Sequence, residues 1–143
     1  MATVIHIKNL PEGYQSIITN GKHSIVGDEP IASKGTDLGM SPSELVLSGL
    51  ALCKAATVRY IARKNGWEIE DVRAQLTQEV KRSEGKLKTF VKISMEIDGD
   101  ITEEQKNELL HQADNCYIHR QLNGEWEIDH ATEGIESKEA IPA

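Results

Sequence analysis

The alternation of apolar and polar positions changes period along the chain, and each change marks an element. "ATVIHIKN" and "YQSIITN" repeat every two residues and are rich in β-branched side chains, which predicts two strands joined by a turn at "LPEG". Asn20 and Gly21 give a hairpin signal, and "HSIVG" supplies the return strand. "DEPIASKGTDLGM" then has no period. A loop of about a dozen residues inside a compact domain is usually functional or disordered.

"SPSE" is the clearest punctuation. Ser41 is a predicted N-cap, Pro42 suits the first helical position and Glu44 completes a capping box. The helix is predicted to run to about Lys64, with Asn65 and Gly66 as its C-terminal stop. Its middle reads as apolar or small on all sides, so it should be buried all round, for a chain this short against another subunit. "VRAQLTQEV" and "LKTFVKISMEI" predict two long strands, with "SEGK" as their hairpin turn. Thr102 and Gln105 form a second capping box, predicting a helix to about Asn115, and "YIHRQL" adds a short helical turn. A last strand is predicted over "EWEIDHAT". The order of elements is α+β, as one domain over residues 1–132 with a frayed tail at 133–143.

Composition narrows the functional classes. The formal charge of −7 argues against nucleic acid and anionic membranes, which require a basic footprint, and six aromatic residues leave no base-stacking platform. The N-terminus lacks a secretory pattern, and "LVLSGLALC", the longest uncharged apolar run, is well short of the ~20 residues of a membrane span. The expected location is cytoplasmic. There, a pair of cysteines is more often reduced, catalytic or redox-sensing than a permanent crosslink.

Those two cysteines, Cys53 and Cys116, are the main candidates for chemistry, although a free cysteine is also a common small core residue. His111, Cys116 and His119 are close in sequence, but three mixed ligands without a fourth make a poor zinc site, and surface histidines are the simpler reading. No metal or cofactor is expected. "GTDLGMS" lacks the glycine pattern and lysine of a phosphate loop, and "VLSGL" lacks the first glycine of a nucleophile elbow. Glu103 and Glu104 read as a solvated helix start.

From Gly39 to about Trp126 the chain resembles the OsmC/Ohr superfamily of osmotically induced and organic-hydroperoxide-resistance proteins. Three segments carry the resemblance: "GMSPSELVLSGLALCKAATVRYIARKNGWEIEDV", "ADNCYIHRQL" and "HSIVGDEP". The first is similar to the family's Pro-x-Glu-Leu helix with a central cysteine, and the second to its second-cysteine segment. The resemblance implies an OsmC-like fold with a long buried central helix and antiparallel strands, in an intertwined homodimer. It implies that Cys53 is the peroxidatic nucleophile and Cys116 its disulfide partner, 63 positions away. The implied partners are an organic or hydrogen peroxide and an external thiol reductant. A non-enzymatic stress or ligand-binding protein on the same fold is the alternative.

The implied chemistry needs a thiolate, and a thiol of ordinary pKa ~8.5 is only a few per cent ionised at neutral pH. Peroxidase branches of the family use an N-terminal arginine and a glutamate directly after the helix proline. Here no arginine precedes Arg59, and Ser43 follows Pro42 with Glu44 one place later. Glu44 lies nine residues before Cys53, about two and a half helical turns, and so points to the opposite side of the helix. Arg120 is the predicted replacement cation, because four residues on a helix put it on the face of Cys116. Pairing of Arg120 with Glu125 or Asp129 is the structural alternative. His23 and Lys34 are further activation or pocket candidates, and the loop before the helix is expected to line or cover the site.

Overall fold

Three short strands open the chain: β1 (His6–Asn9), β2 (Ser16–Thr19) and β3 (Ser24–Gly27). After a 3₁₀ turn at Ile31–Ser33 come α1 (Pro42–Asn65), β4 (Ile69–Ser83), β5 (Lys86–Gly99), α2 (Glu103–Ala113) and α3 (Tyr117–Asn123). This computed structural model describes residues 2–135. Two compact units divide the chain: Met1–Val46 with Glu127–Ala143, and Leu47–Trp126. The fold is α+β with antiparallel strands, as the sequence predicts.

In the first unit, β1, β2 and β3 form an antiparallel sheet in that order. Asn20 closes the β2–β3 turn by accepting the Lys22 and His23 N–H groups on its side-chain oxygen. The loop after β3 is organised around Asp28, which is buried. Its carboxylate accepts from the Thr36 hydroxyl and from the backbone N–H groups of Tyr14, Glu29, Thr36 and Leu38. The loop thus replaces a backbone ladder with one carboxylate. The start of α1 is fixed by the predicted box: the Ser41 N–H reaches Glu44 Oε1 at 3.0 Å, and the Glu44 N–H reaches Ser41 Oγ at 3.4 Å.

In the second unit, α1 ends where Gly66 takes φ +70 and the Trp67 N–H reaches back to the Ala62 carbonyl. The chain then enters β4, which pairs with β5 in a long antiparallel hairpin turned at Glu84 and Gly85, both at positive φ. Register places Val72 opposite Ile97, Ala74 opposite Met95 and Leu76 opposite Ile93. One face of the pleat therefore meets the helices. Val58 and Ala62 of α1 pack there with Ile97 and with Leu109 and Ala113 of α2. The Thr102–Gln105 capping box holds the start of α2 as predicted.

One expectation needs correction. "EWEIDHAT" forms no strand; residues 125–132 have no regular structure and are exposed, with Ile128 83% accessible. Alternation specifies the faces of a strand but does not provide the neighbouring edge that makes one. The expected frayed tail lies outside the described residues from 136 onward, and residues 133–135 are exposed without regular structure. Within this one chain α1, expected to be buried against another subunit, is covered along a single stripe. Leu50, Lys54, Val58 and Ala62, four residues apart, form its buried stripe, whereas Val46, Leu52 and Tyr60 face outward. By length and composition alone α1 also fits a bilayer crossing, which a count of unbroken apolar runs passes over. The same pattern fits the core helix of a folded domain, as the buried stripe illustrates.

Asp28 yields a prediction with a definite sign. The Thr36 hydroxyl first, then the backbone donors, hold its carboxyl far below the ordinary range, with burial opposing. A depressed folded-state pKa adds stability above the unfolded value, about pH 4, and that stability is lost as pH falls through the folded value. Asp28→Asn should lower the denaturant midpoint at neutral pH. Between about pH 6 and pH 3 it should lose less stability than wild type. Equal losses in the two proteins would show that the Asp28 carboxylate contributes nothing.

Candidate active site

The cysteines meet in the second unit. Cys53 is half-buried near the middle of α1, and Cys116 is 1% exposed at the N-cap of α3. The Asn115–Cys116 connection between α2 and α3 brings the segment back across α1. There the Ile118 N–H donates to Cys53 Sγ at 3.4 Å. The His119 amide and the Cys53 thiol both act on the Cys116 thiol, the first lowering and the second raising its pKa. One short connection thus brings together two sulfurs that are 63 residues apart in sequence.

The third member of the cluster is Lys54, which the sequence reading passed over. It has 0% exposure, and its ammonium donates to the Ala113 carbonyl at 3.0 Å. Its Nζ lies 2.8 Å from His119 Nδ1. Which of the two nitrogens donates depends on the His119 tautomer; an ammonium at Lys54 can only donate, to a lone pair on Nδ1. His119 is thus a partly buried partner rather than a surface residue. A signal was available: Lys54 is the only charged residue between Glu44 and Arg59, and it falls on the stripe Leu50, Val58, Ala62. A long side chain with a free end is ordinarily read as solvent-seeking, which hid it.

The other predicted residues lie elsewhere. Arg120 is exposed, with its guanidinium 5.7 Å from the centre of the Tyr117 ring. Among the described residues it makes no ion pair with Glu125 or Asp129. His23, Lys34 and Glu44 belong to the first unit. His23 serves the β2–β3 turn through its backbone, and Lys34 takes φ +70 after the 3₁₀ turn. Glu44 caps α1, and the Ser41 N–H and hydroxyl hold its carboxyl below the ordinary range. The loop's ends line a cleft that includes neither cysteine: Asp28, Glu29 and Met40, with Ile7, Tyr14 and Leu45, surround about 260 Å³ within that unit. No group of three or more histidine, cysteine or acidic side chains suited to a metal occurs among the described residues.

Charge around Cys116 is balanced in a definite order. Burial pushes its thiol pKa up; the His119 N–H bond pulls it down; the Cys53 hydrogen bond pushes it up; the Lys54 charge pulls it down. The net direction is upward.

The family model for OsmC-like protein matches residues 35–131. Among solved structures, the chain is similar to an OsmC-like protein from Mycoplasma pneumoniae, with 21% identity over 87% of this chain and 89% of that one, at a TM-score of 0.75. An organic hydroperoxide resistance protein OsmC from Legionella pneumophila is 20% identical over 87% and 90% of the two chains, with a TM-score of 0.65. The organic hydroperoxide resistance protein OhrB of Bacillus subtilis is 19% identical over 87% and 92%, with a TM-score of 0.63. At these identities the likeness is one of fold. No curated protein matches the chain.

The raised Cys116 value gives a direct test. In Cys53→Ser, only one thiol remains to titrate. The rise in ultraviolet thiolate absorbance should then have its midpoint above the ~8.5 of an ordinary thiol, because burial persists. A midpoint at or below that value would contradict the balance described above.

Proposed function

The chain belongs to the OsmC-like protein family, and on that premise we propose that it is a thiol-dependent peroxidase acting on organic or hydrogen peroxides. One observation carries the reading: the turn that begins at buried Cys116 closes on half-exposed Cys53, whose sulfur accepts the Ile118 N–H at 3.4 Å. A thiol pair in which one sulfur is reachable and the other withheld suits a nucleophile with a resolving partner. Two family relatives of similar fold are described as organic hydroperoxide resistance proteins, which supports the substrate class.

The steps balance on these two sulfurs. The Cys53 thiolate attacks one oxygen of the peroxide; the S–O bond forms, the O–O bond breaks, and the alkoxide leaves and takes up a proton. Sulfur has lost two electrons and the peroxide has gained them, leaving a sulfenic acid at Cys53. The Cys116 thiolate then attacks that sulfur. Its S–S bond replaces the S–O bond, and hydroxide leaves as water with the proton that Cys116 gave up. An external thiol reductant returns the disulfide to two thiols by exchange. A reducing compartment, the cytoplasm, suits that cycle.

Mass spectrometry after one equivalent of an organic hydroperoxide tests the reading. Wild type should lose two hydrogens as a Cys53–Cys116 disulfide, and Cys116→Ser should gain one oxygen at Cys53. Unmodified protein in both cases would favour the non-enzymatic alternative. The lack of any arginine before Arg59, with Glu44 engaged as a helix cap, is the observation on that side.

We further propose a homodimer. Its support is the outward face of α1, where Leu52 is 70% and Tyr60 63% exposed, together with exposed Val80, Leu87 and Phe90 on the outer half of the hairpin. Apolar residues so placed on a central helix suit a second copy of the chain. Light scattering at micromolar concentration should give twice the chain mass, and Leu52→Asp should reduce it or unfold the protein, because an unpaired charge in a buried interface is costly. A folded wild-type monomer would end this proposal.

A further inference from the structure

Lys54 has no part in the steps above, yet it is the largest fully buried side chain among the described residues; it follows Cys53 in the chain and its charge acts on Cys116. Burying an ammonium costs several kcal/mol, by order of magnitude, unless partners compensate. A hydrocarbon side chain at this point of the stripe Leu50, Val58, Ala62 would avoid that cost. Its two partners are the last carbonyl of α2, Ala113, and His119 Nδ1 on α3. Among the described residues no carboxylate pairs with Lys54. The lysine nitrogen is thus held without a counterion on the two helices that flank Cys116.

We propose that Lys54 is a positioning residue for the resolving step: its buried, unneutralised ammonium makes Cys116 a competent thiolate when Cys53 carries the sulfenic acid. This rests on the peroxidase reading. Cys116 is the sulfur that needs the help, because it is 1% exposed and water cannot solvate its charge. The groups acting on Cys116 are Cys53 and Lys54 of α1 and His119 of α3. Of these, Lys54 is the cation. In a poorly solvated setting a single charge acts more strongly than the same charge on the surface, where Arg120 lies. Lys54 also spans from α1 to the α2–α3 connection, and so holds Cys116 over the helix that carries its target. In the reaction it gains and loses no proton. Cys116 gives its proton to the departing hydroxide, and the ammonium stabilises the anion in between.

The test separates the two chemical steps in a single turnover. Sulfenic acid at Cys53 is followed by capture with a 1,3-dione, and disulfide formation by mass. The variants are Lys54→Met and Lys54→Gln. Glutamine keeps a donor for the Ala113 carbonyl or His119 Nδ1 while removing the charge, so it reports should the methionine variant fail to fold. At neutral pH each folded variant should form the disulfide about tenfold more slowly or worse, with sulfenic acid accumulating, since a nearby cation is worth one to three pKa units. Raising the pH by one to two units should restore the rate. A distorted site would stay slower than wild type at every pH. Disulfide formation at the wild-type rate in Lys54→Gln would overturn the proposal, as would a slow step that alkali does not restore. An equal, alkali-restored loss in Arg120→Met would reassign the charge to Arg120. Absence of both the disulfide in wild type and the sulfenic acid in Cys116→Ser would instead remove the peroxidase reading itself.

Discussion

A lysine ammonium withdrawn from water has to find acceptors, and in this chain that requirement governs how the second unit is assembled. Lys54 meets it with the Ala113 carbonyl and the His119 ring, and those two contacts join α1 to the end of α2 and to α3. Helix C-terminal carbonyls lack intrahelical donors, so the Ala113 carbonyl is a natural acceptor for a cation. Once the connection between α2 and α3 is fixed there, Cys116 is over α1 and the Ile118 amide reaches Cys53. The cysteine pair follows from where the charge is anchored.

The apolar packing of the same unit supports this arrangement. Val58 and Ala62 continue the stripe that contains Lys54, and they meet Ile97, Leu109 and Ala113. One helix face therefore supplies a hydrocarbon core at its C-terminal half and a buried charge at its centre. Cys53 precedes Lys54 by one residue, about 100° around the helix, which keeps its sulfur at the border of that face. Half-burial of Cys53 and complete burial of Lys54 are two consequences of one helical phase.

A different physical device orders the loop of the first unit. There the buried Asp28 carboxylate gathers four backbone N–H groups and the Thr36 hydroxyl. An anion fixes the loop and a cation fixes the helices. In both cases a buried charge takes neutral hydrogen-bond partners in place of a counterion, which places the surrounding backbone more narrowly than apolar contact alone.

The sequence by itself determined the elements whose signals are local. The Ser41–Glu44 and Thr102–Gln105 boxes, the Gly66 stop and the period-two runs of β4 and β5 depend on residues within a few positions of one another, and they formed where predicted. The two cysteines were also legible as the candidate pair. Tertiary structure decided what depends on neighbours distant in sequence. "EWEIDHAT" had the pattern of a strand but pairs with neither sheet among the described residues. Arg120 shared a helix with Cys116 yet turned to the Tyr117 ring. The burial of Lys54 came only with Ala113 and His119, 59 and 65 residues further on, folding against it. Spacing along a chain fixes which residues share a face, but the worth of a charge depends on how much water and which acceptors surround it, and only the folded chain sets those.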